Sequence, residues 1–147
     1  MLSDSKPGAE VCNCHALRAA ARHITQAYDQ FLAPAGLRTT QFSILAKLKR
    51  KGPLTINQLA EDMVMDRTTL GRNILPLERD GLIKIQPSAT DGRAKELHLT
   101  KAGEQRLQAG RKGWAAAQAR FEDAYGAKRA AELRTMLRAV VDSELNP

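Results

Sequence analysis

Aromatic side chains are scarce in this 147-residue sequence: three phenylalanines, two tyrosines and one tryptophan, 4% in all. A core must therefore be built mainly from leucine, isoleucine, valine, methionine and alanine, which favours helix packing on helix over a β-sandwich. Long hydrophobic runs are missing too, and no stretch approaches the roughly 18 apolar residues that a membrane-spanning helix needs. The N-terminal MLSDSKPGAE lacks the basic start and apolar stretch of a signal peptide, so the expected location is cytoplasmic, with no membrane partner. Cysteine is limited to Cys12 and Cys14, too few and too close for a disulfide framework. There is no glycine-rich phosphate loop, no H-x-x-x-H and no pair of carboxylates on one helix face. Catalysis has nothing to stand on, and neither a cofactor nor a bound metal is expected.

What the sequence has is positive charge, 23 Lys and Arg against 16 Asp and Glu, for a net +7. Such an excess attracts nucleic acid or an anionic membrane surface, and by itself does not choose between them. The length suits one compact domain with a single core.

Beyond a polar segment of about eleven residues, expected to be mobile, a helical period runs through Leu17, Ala20, Ala21, Ile24, Tyr28, Phe31 and Leu32. It should stop before Pro34 and Gly36. Thr39 or Thr40 is expected to cap a second helix with Phe42, Leu45 and Leu48 inward, closed by KGP at residues 51–53. In LTINQLAEDMVMDRTTLGRNILPLERDGLI, Thr55 and Gln58 form a capping box for a short third helix that buries Ile56, Leu59, Ala60 and Met63. Asp66 caps a fourth helix, with Leu70, Ile74 and Leu77 inward, Pro76 expected to bend it and Gly81 ending it. Then GLIKIQ and ELHLT alternate apolar and polar residues around PSATDGRAK, so Ile83 and Ile85 share one face, as do Leu97 and Leu99. That is a β-hairpin. Thr100 should start a long helix in which Leu107, Trp114 and Phe121 repeat every seven residues, with Gly110, Ala117 and Ala124 between them. A last helix after Gly126 carries Leu133, Met136, Leu137, Val140 and Leu145. The heptad seam reads as a dimerisation surface, with packing inside one chain as the alternative.

The expected fold is mainly α with a small β-hairpin wing. A winged helix-turn-helix spans residues 38–100, and an N- and C-terminal helical dimerisation module spans residues 12–33 and 101–147. At ~100° per residue, the outer face of the fourth helix carries Thr68, Arg72 and Arg79, with Arg67, Thr69 and Asn73 at or near its edges. Arginine pairs bidentately with guanine, and threonine reaches bases or phosphates. A merely solvated helix face would look similar, but the capped helices and the hairpin beside it favour DNA. Arg93, with Lys95 close behind, sits where a wing tip could enter the minor groove, whose negative potential favours arginine.

These segments, with TDGRAKELHLTKAG, closely resemble the multiple antibiotic resistance regulator (MarR) family of bacterial transcription factors. The wing pattern D-x-R, a strand, then L-T-x-x-G carries the likeness, which extends from Cys14 to the end of the chain. The resemblance implies a homodimer binding a double-stranded, pseudo-palindromic operator, as a repressor released by a small ligand or by oxidation. A non-specific architectural DNA binder is the alternative. By the same resemblance Arg72 is the recognition-helix arginine and Arg93 the wing arginine. Asp91 supports the wing, and Asp66 is the acidic residue that pairs with Arg93. Where the family often has Thr or Ser before the helix arginine, this chain has Gly71.

CNCHALRAAARHITQAY opens the first helix. The family's organic hydroperoxide regulators carry a reactive cysteine there, followed by arginine at +8 and tyrosine at +14. Cys14, Arg22 and Tyr28 match that spacing, while Arg18 stands where those regulators have a second tyrosine. Cys14 could thus be a peroxide sensor with Cys12 as resolving thiol. Alternatively the two thiols are inert, or Cys12, Cys14 and His15 offer three metal ligands without an obvious fourth. Neither His23 nor His98 has an evident partner. A small aromatic ligand held near Arg18, Arg22 and Tyr28 is the other candidate signal.

Overall fold

The computed structural model describes residues 11–147. The polar segment expected to be mobile lies, apart from Val11, outside the described residues. In chain order come α1 (Asn13–Leu32), a 3-10 turn (Ala33–Ala35), α2 (Thr39–Lys51), β1 (Leu54–Thr55), α3 (Ile56–Asp62), α4 (Arg67–Arg79), β2 (Ile83–Pro87), β3 (Lys95–Leu99), α5 (Lys101–Tyr125) and α6 (Ala127–Val141). The fold is mainly helical with a three-stranded antiparallel sheet in the order β1-β3-β2. No described helix is long and apolar enough to cross a membrane.

The hairpin register pairs Ile83 with Leu99 and Ile85 with Leu97, so the alternation read from sequence becomes one apolar face. The third strand, β1, adds Leu54 opposite Leu97. This face closes over Leu45, Leu48, Leu59, Leu70, Ile74 and Leu77, which are buried in one cluster. Each such leucine contributes roughly 1.5–3 kcal/mol when fully removed from water.

Three helix starts are fixed by local side-chain caps. Thr55 Oγ1 accepts the Gln58 N–H at 3.1 Å while Gln58 Oε1 accepts the Thr55 N–H at 2.9 Å. Asp66 caps α4 through Thr69, and Thr100 caps α5 through Gly103. The second helix departs from expectation. Thr39 is already its first residue, and both its N–H and its hydroxyl donate to Asp29 Oδ1 of α1 at 2.7 Å. Its N-terminus is thus held by another helix as well as by Gln41, whose side chain accepts the Arg38 N–H. Gly81, at φ +73°, ends α4, with the Leu82 N–H reaching back to the Leu77 carbonyl at 2.9 Å. The helix runs on through Pro76 to Arg79 without a break.

The first half of the heptad seam of α5 packs on its own chain. Leu107 and Ala117 are buried, Trp114 stacks on Phe42 with ring centroids 6.2 Å apart, and Gly110 lies against Leu37 and Phe42. At Gly113 the backbones of α5 and α1 come so close that a Cβ would collide with the Phe31 carbonyl. The seam's small residues Gly110 and Gly113 admit α2 and α1 of the same chain, while Trp114 stays 40% exposed. Leu145, expected on the last helix, lies beyond its end at Val141. Gly113→Ala should destabilise the fold by about 3 kcal/mol, because backbone cannot yield as a side-chain tip can. Urea denaturation of the variant against wild type measures it.

Candidate nucleic-acid interface

The start of α4 is set by Asp66. Its Oδ1 accepts the Thr69 N–H at 2.8 Å and its Oδ2 the Thr69 hydroxyl at 2.7 Å. The Thr69 backbone bond, followed by its hydroxyl, holds the Asp66 carboxyl below its ordinary range. Both oxygens are committed to the cap, and Asp66 makes no ion pair with Arg93. The pairing implied by the family resemblance is therefore absent: the Asp66 carboxylate is turned to the start of its own helix.

With Leu70, Ile74 and Leu77 buried, the opposite face of α4 presents Thr68, Arg72, Leu75 and Arg79 to solvent, with Arg67 exposed at its edge. Arg79 Nε lies 3.3 Å from the neighbouring Asp80 carboxylate, an exposed pair of small energetic weight. Two of the sequence candidates, both half-buried, spend polar groups on their own helix and its cap. Thr69 spends its hydroxyl on Asp66, and Asn73 donates its amide to the Thr69 carbonyl at 2.8 Å.

The wing brings its cations beside the same helix. Ser88, buried just after the proline of β2, ties residues 88–94 into a closed loop. Its N–H donates to the Ala94 carbonyl at 2.8 Å, and its hydroxyl accepts the N–H groups of Thr90 and Asp91 at 3.3 Å each. Asp91 Oδ1 accepts the Arg93 N–H at 3.1 Å, which matches a wing-supporting role, and the Arg93 side chain is left exposed. Arg67, Arg93 and Lys95 then line one shallow groove together with Thr55, Ile56, Asn57 and Asp91. Asn57 and Ser88 were missed in the sequence. The capping box, which puts Asn57 in the exposed first turn of α3, was the available signal for the first.

Behind this surface, Asp62 at the end of α3 sits between Lys47 and Lys51 of α2, 2.7 Å from each ammonium. Hydrogen bonds from Lys47 and then Lys51 lower its carboxyl to about 2.

The features singled out on α1 do not converge. Cys12 is the N-cap, its Sγ accepting the His15 N–H at 3.4 Å, and both thiols are exposed. Among the described residues, Cys12, Cys14 and His15 do not gather as a metal-holding group. Arg18 and Arg22 are exposed and one turn apart, whereas Tyr28 is half-buried on another face, its hydroxyl donating to Gln118 Oε1 of α5. Burial, reinforced by Glu122 and opposed by Arg134, raises the Tyr28 phenol above its usual range. Within one chain these three residues therefore form no common pocket.

Residues 37–95 match the profile of the MarR family. YwoH of Bacillus subtilis (strain 168), an uncharacterised HTH-type transcriptional regulator, is 30% identical over 94 residues, which span 64% of this chain and 68% of YwoH. Over 92% of this chain and 100% of the other, the M. tuberculosis transcriptional regulator MosR is 32% identical, with a TM-score of 0.78. The chain belongs to the MarR family. It is thus a transcriptional regulator of MarR type, and its helix-turn-helix and wing are those of winged-helix regulators. Further curated regulators match over about half of their own length. MosR has also been solved in complex with DNA, at 35% identity over 91% of this chain and 99% of that one, with a TM-score of 0.78. The transcriptional repressor CouR, bound to a 23-mer DNA duplex, is 25% identical over 95% of this chain and 99% of its own, with a TM-score of 0.80.

The Asp62 carboxyl, depressed by its lysines, adds stability to the MarR-type head that is fully present above pH 4 and is lost as pH falls through about 2. Its side chain is 26% exposed, so solvent screening reduces the contribution to about 1 kcal/mol. Asp62→Asn should cost that much at pH 7, and the urea midpoints of variant and wild type should converge as pH approaches 2.

Proposed function

We propose that the chain binds double-stranded DNA sequence-specifically as a homodimer and represses transcription from a pseudo-palindromic operator. The observation that carries this reading is that Arg67 of α4 lines one groove with Arg93 and Lys95 of the wing, while Thr68, Arg72 and Arg79 stand exposed along the same helix. α4 fits the major groove, with Arg72 aimed at guanine edges, and Arg93 fits the adjacent minor groove. The DNA complexes of MosR and CouR support the reading.

Dimerisation is supported by apolar side chains left uncovered within one chain: Leu17 of α1 and Met136, Leu137, Val140 and Val141 of α6. In this reading the partner contacts the first half of α1 and α6. The arms at 12–33 and 101–147 then hold two heads, 38–100, about 34 Å apart, one turn of B-DNA.

Arg72→Ala should weaken operator binding by about 1–3 kcal/mol and relax sequence preference, while Arg93→Ala weakens binding through the minor groove. Titrations of a selected duplex and of random DNA measure both, and sedimentation at micromolar concentration should return a dimer. An architectural binder would show no preference between the two duplexes.

For the signal, oxidation is favoured by two exposed thiols at the start of an arm helix. A peroxide oxidises the Cys14 thiolate to a sulfenate and is itself reduced to the alcohol. The Cys12 thiol then displaces water to form a disulfide, within the chain or to the partner. Cys12 would thereby give up its capping contact with the His15 N–H. Stoichiometric peroxide should release wild type from its operator, dithiothreitol should restore binding, and Cys14→Ser should bind like reduced wild type throughout. Identical curves for both proteins would leave a small aromatic ligand near Arg18 and Arg22 as the signal.

A further inference from the structure

Leu75 is 62% exposed, the only large apolar side chain of α4 that the fold leaves in solvent. It stands in the middle of the DNA-facing side, one turn after Arg72 and one turn before Arg79, and with Arg72, Pro76, Glu78 and Arg79 it lines a shallow groove. A single exposed leucine is ordinary on a protein surface. A second, independent feature lies one turn earlier on the same side. Gly71 occupies the helix interior, where glycine weakens a helix relative to alanine, and yet a Cβ built there would meet no atom within 4 Å. At Gly103, Gly110 and Gly113 the chain itself fills the space that a side chain would take. Nothing in the chain fills it at Gly71, and the Leu75 side chain does not lean over it.

We propose that Leu75 and the open notch above Gly71 form an apolar seat for the C5-methyl group of a thymine. The inference rests on the reading of α4 as the major-groove helix and names one base contact within it. Among the four base edges in the major groove, thymine alone offers a methyl group, and apolar side chains are what read it. Arg72 and Arg79, one turn to either side, hold the duplex by guanine edges or phosphates. The notch lets the base approach the helix backbone closely, and the leucine then covers the methyl. Specificity at that position comes from removing a methyl and a leucine surface from water together, with no hydrogen bond involved.

The probe is the duplex that wild-type protein enriches from a random-sequence pool, with each thymine replaced in turn by uracil, which lacks only the methyl group. At one thymine in each half-site, uracil should weaken wild-type binding about fourfold, the value of one buried methyl-sized group. Leu75→Ala should bind the thymine duplex more weakly, lose that discrimination, and keep a Tm close to wild type because the side chain is mostly in solvent. Gly71→Ala should raise Tm by about 2–4 °C and lower affinity for the same duplex. If no uracil substitution matters, or if the discrimination persists unchanged in Leu75→Ala, the thymine seat is wrong while the DNA interface stands. If no sequence is enriched at all, the interface reading fails and the seat with it.

Discussion

Thr100 joins the reading head to the long helix that carries it. Its hydroxyl donates to the Gly81 carbonyl at 2.7 Å and accepts the Gly103 N–H at 3.0 Å, while its own N–H donates to the Leu82 carbonyl at 3.1 Å. One residue therefore fastens the end of α4, the root of the wing and the first turn of α5. Gly103 completes the joint, because any side chain there would run into the Leu82 carbonyl. Without this close seating, α4 and the wing would have no fixed angle to α5, and the cationic surface would not be one surface. The L-T-x-x-G signature is the sequence form of this joint.

Charge is distributed around that joint with a clear division. On the α2 side, Lys47 and Lys51 share the single carboxylate of Asp62, and Lys49 pairs with Glu104 at 2.9 Å. Arg67, Arg72, Arg93 and Lys95 make no ion pair among the described residues, and Arg79 is paired only with the adjacent Asp80. Cations engaged by carboxylates are poor partners for phosphate. On the face of α4 and the wing the cations are left free for an anionic polymer to engage.

Features written in short-range chemistry were legible in the sequence. Thr55 with Gln58, Asp66 at the start of α4, Thr100, Gly81 and the alternation of Ile83, Ile85, Leu97 and Leu99 each depend on neighbours a few residues away, and each was read correctly. What was not legible depended on distant parts of the chain. β1 is two residues long and exists only because Leu97 lies across from Leu54. Thr39 looked like a cap by residue type, but the acceptor that holds it is Asp29 on another helix. The heptad of α5 told which residues share a face and not which helix covers it. The glycines at 110 and 113 were the overlooked clue, since they mark backbone approach. Asp66 turns its carboxylate to Thr69 and not to Arg93, an orientation that a family pattern does not display.

The contact between Asp29 and Thr39 also restricts how the arm and the head can move. Both Thr39 bonds converge on one carboxylate oxygen at 2.7 Å, so sliding α1 along its axis by a single residue, about 1.5 Å, breaks them together. Tilting α1 about that oxygen preserves both. Asp29 is accordingly a pivot: displacement at the far end of α1 reaches the helix-turn-helix as an angle rather than as a translation.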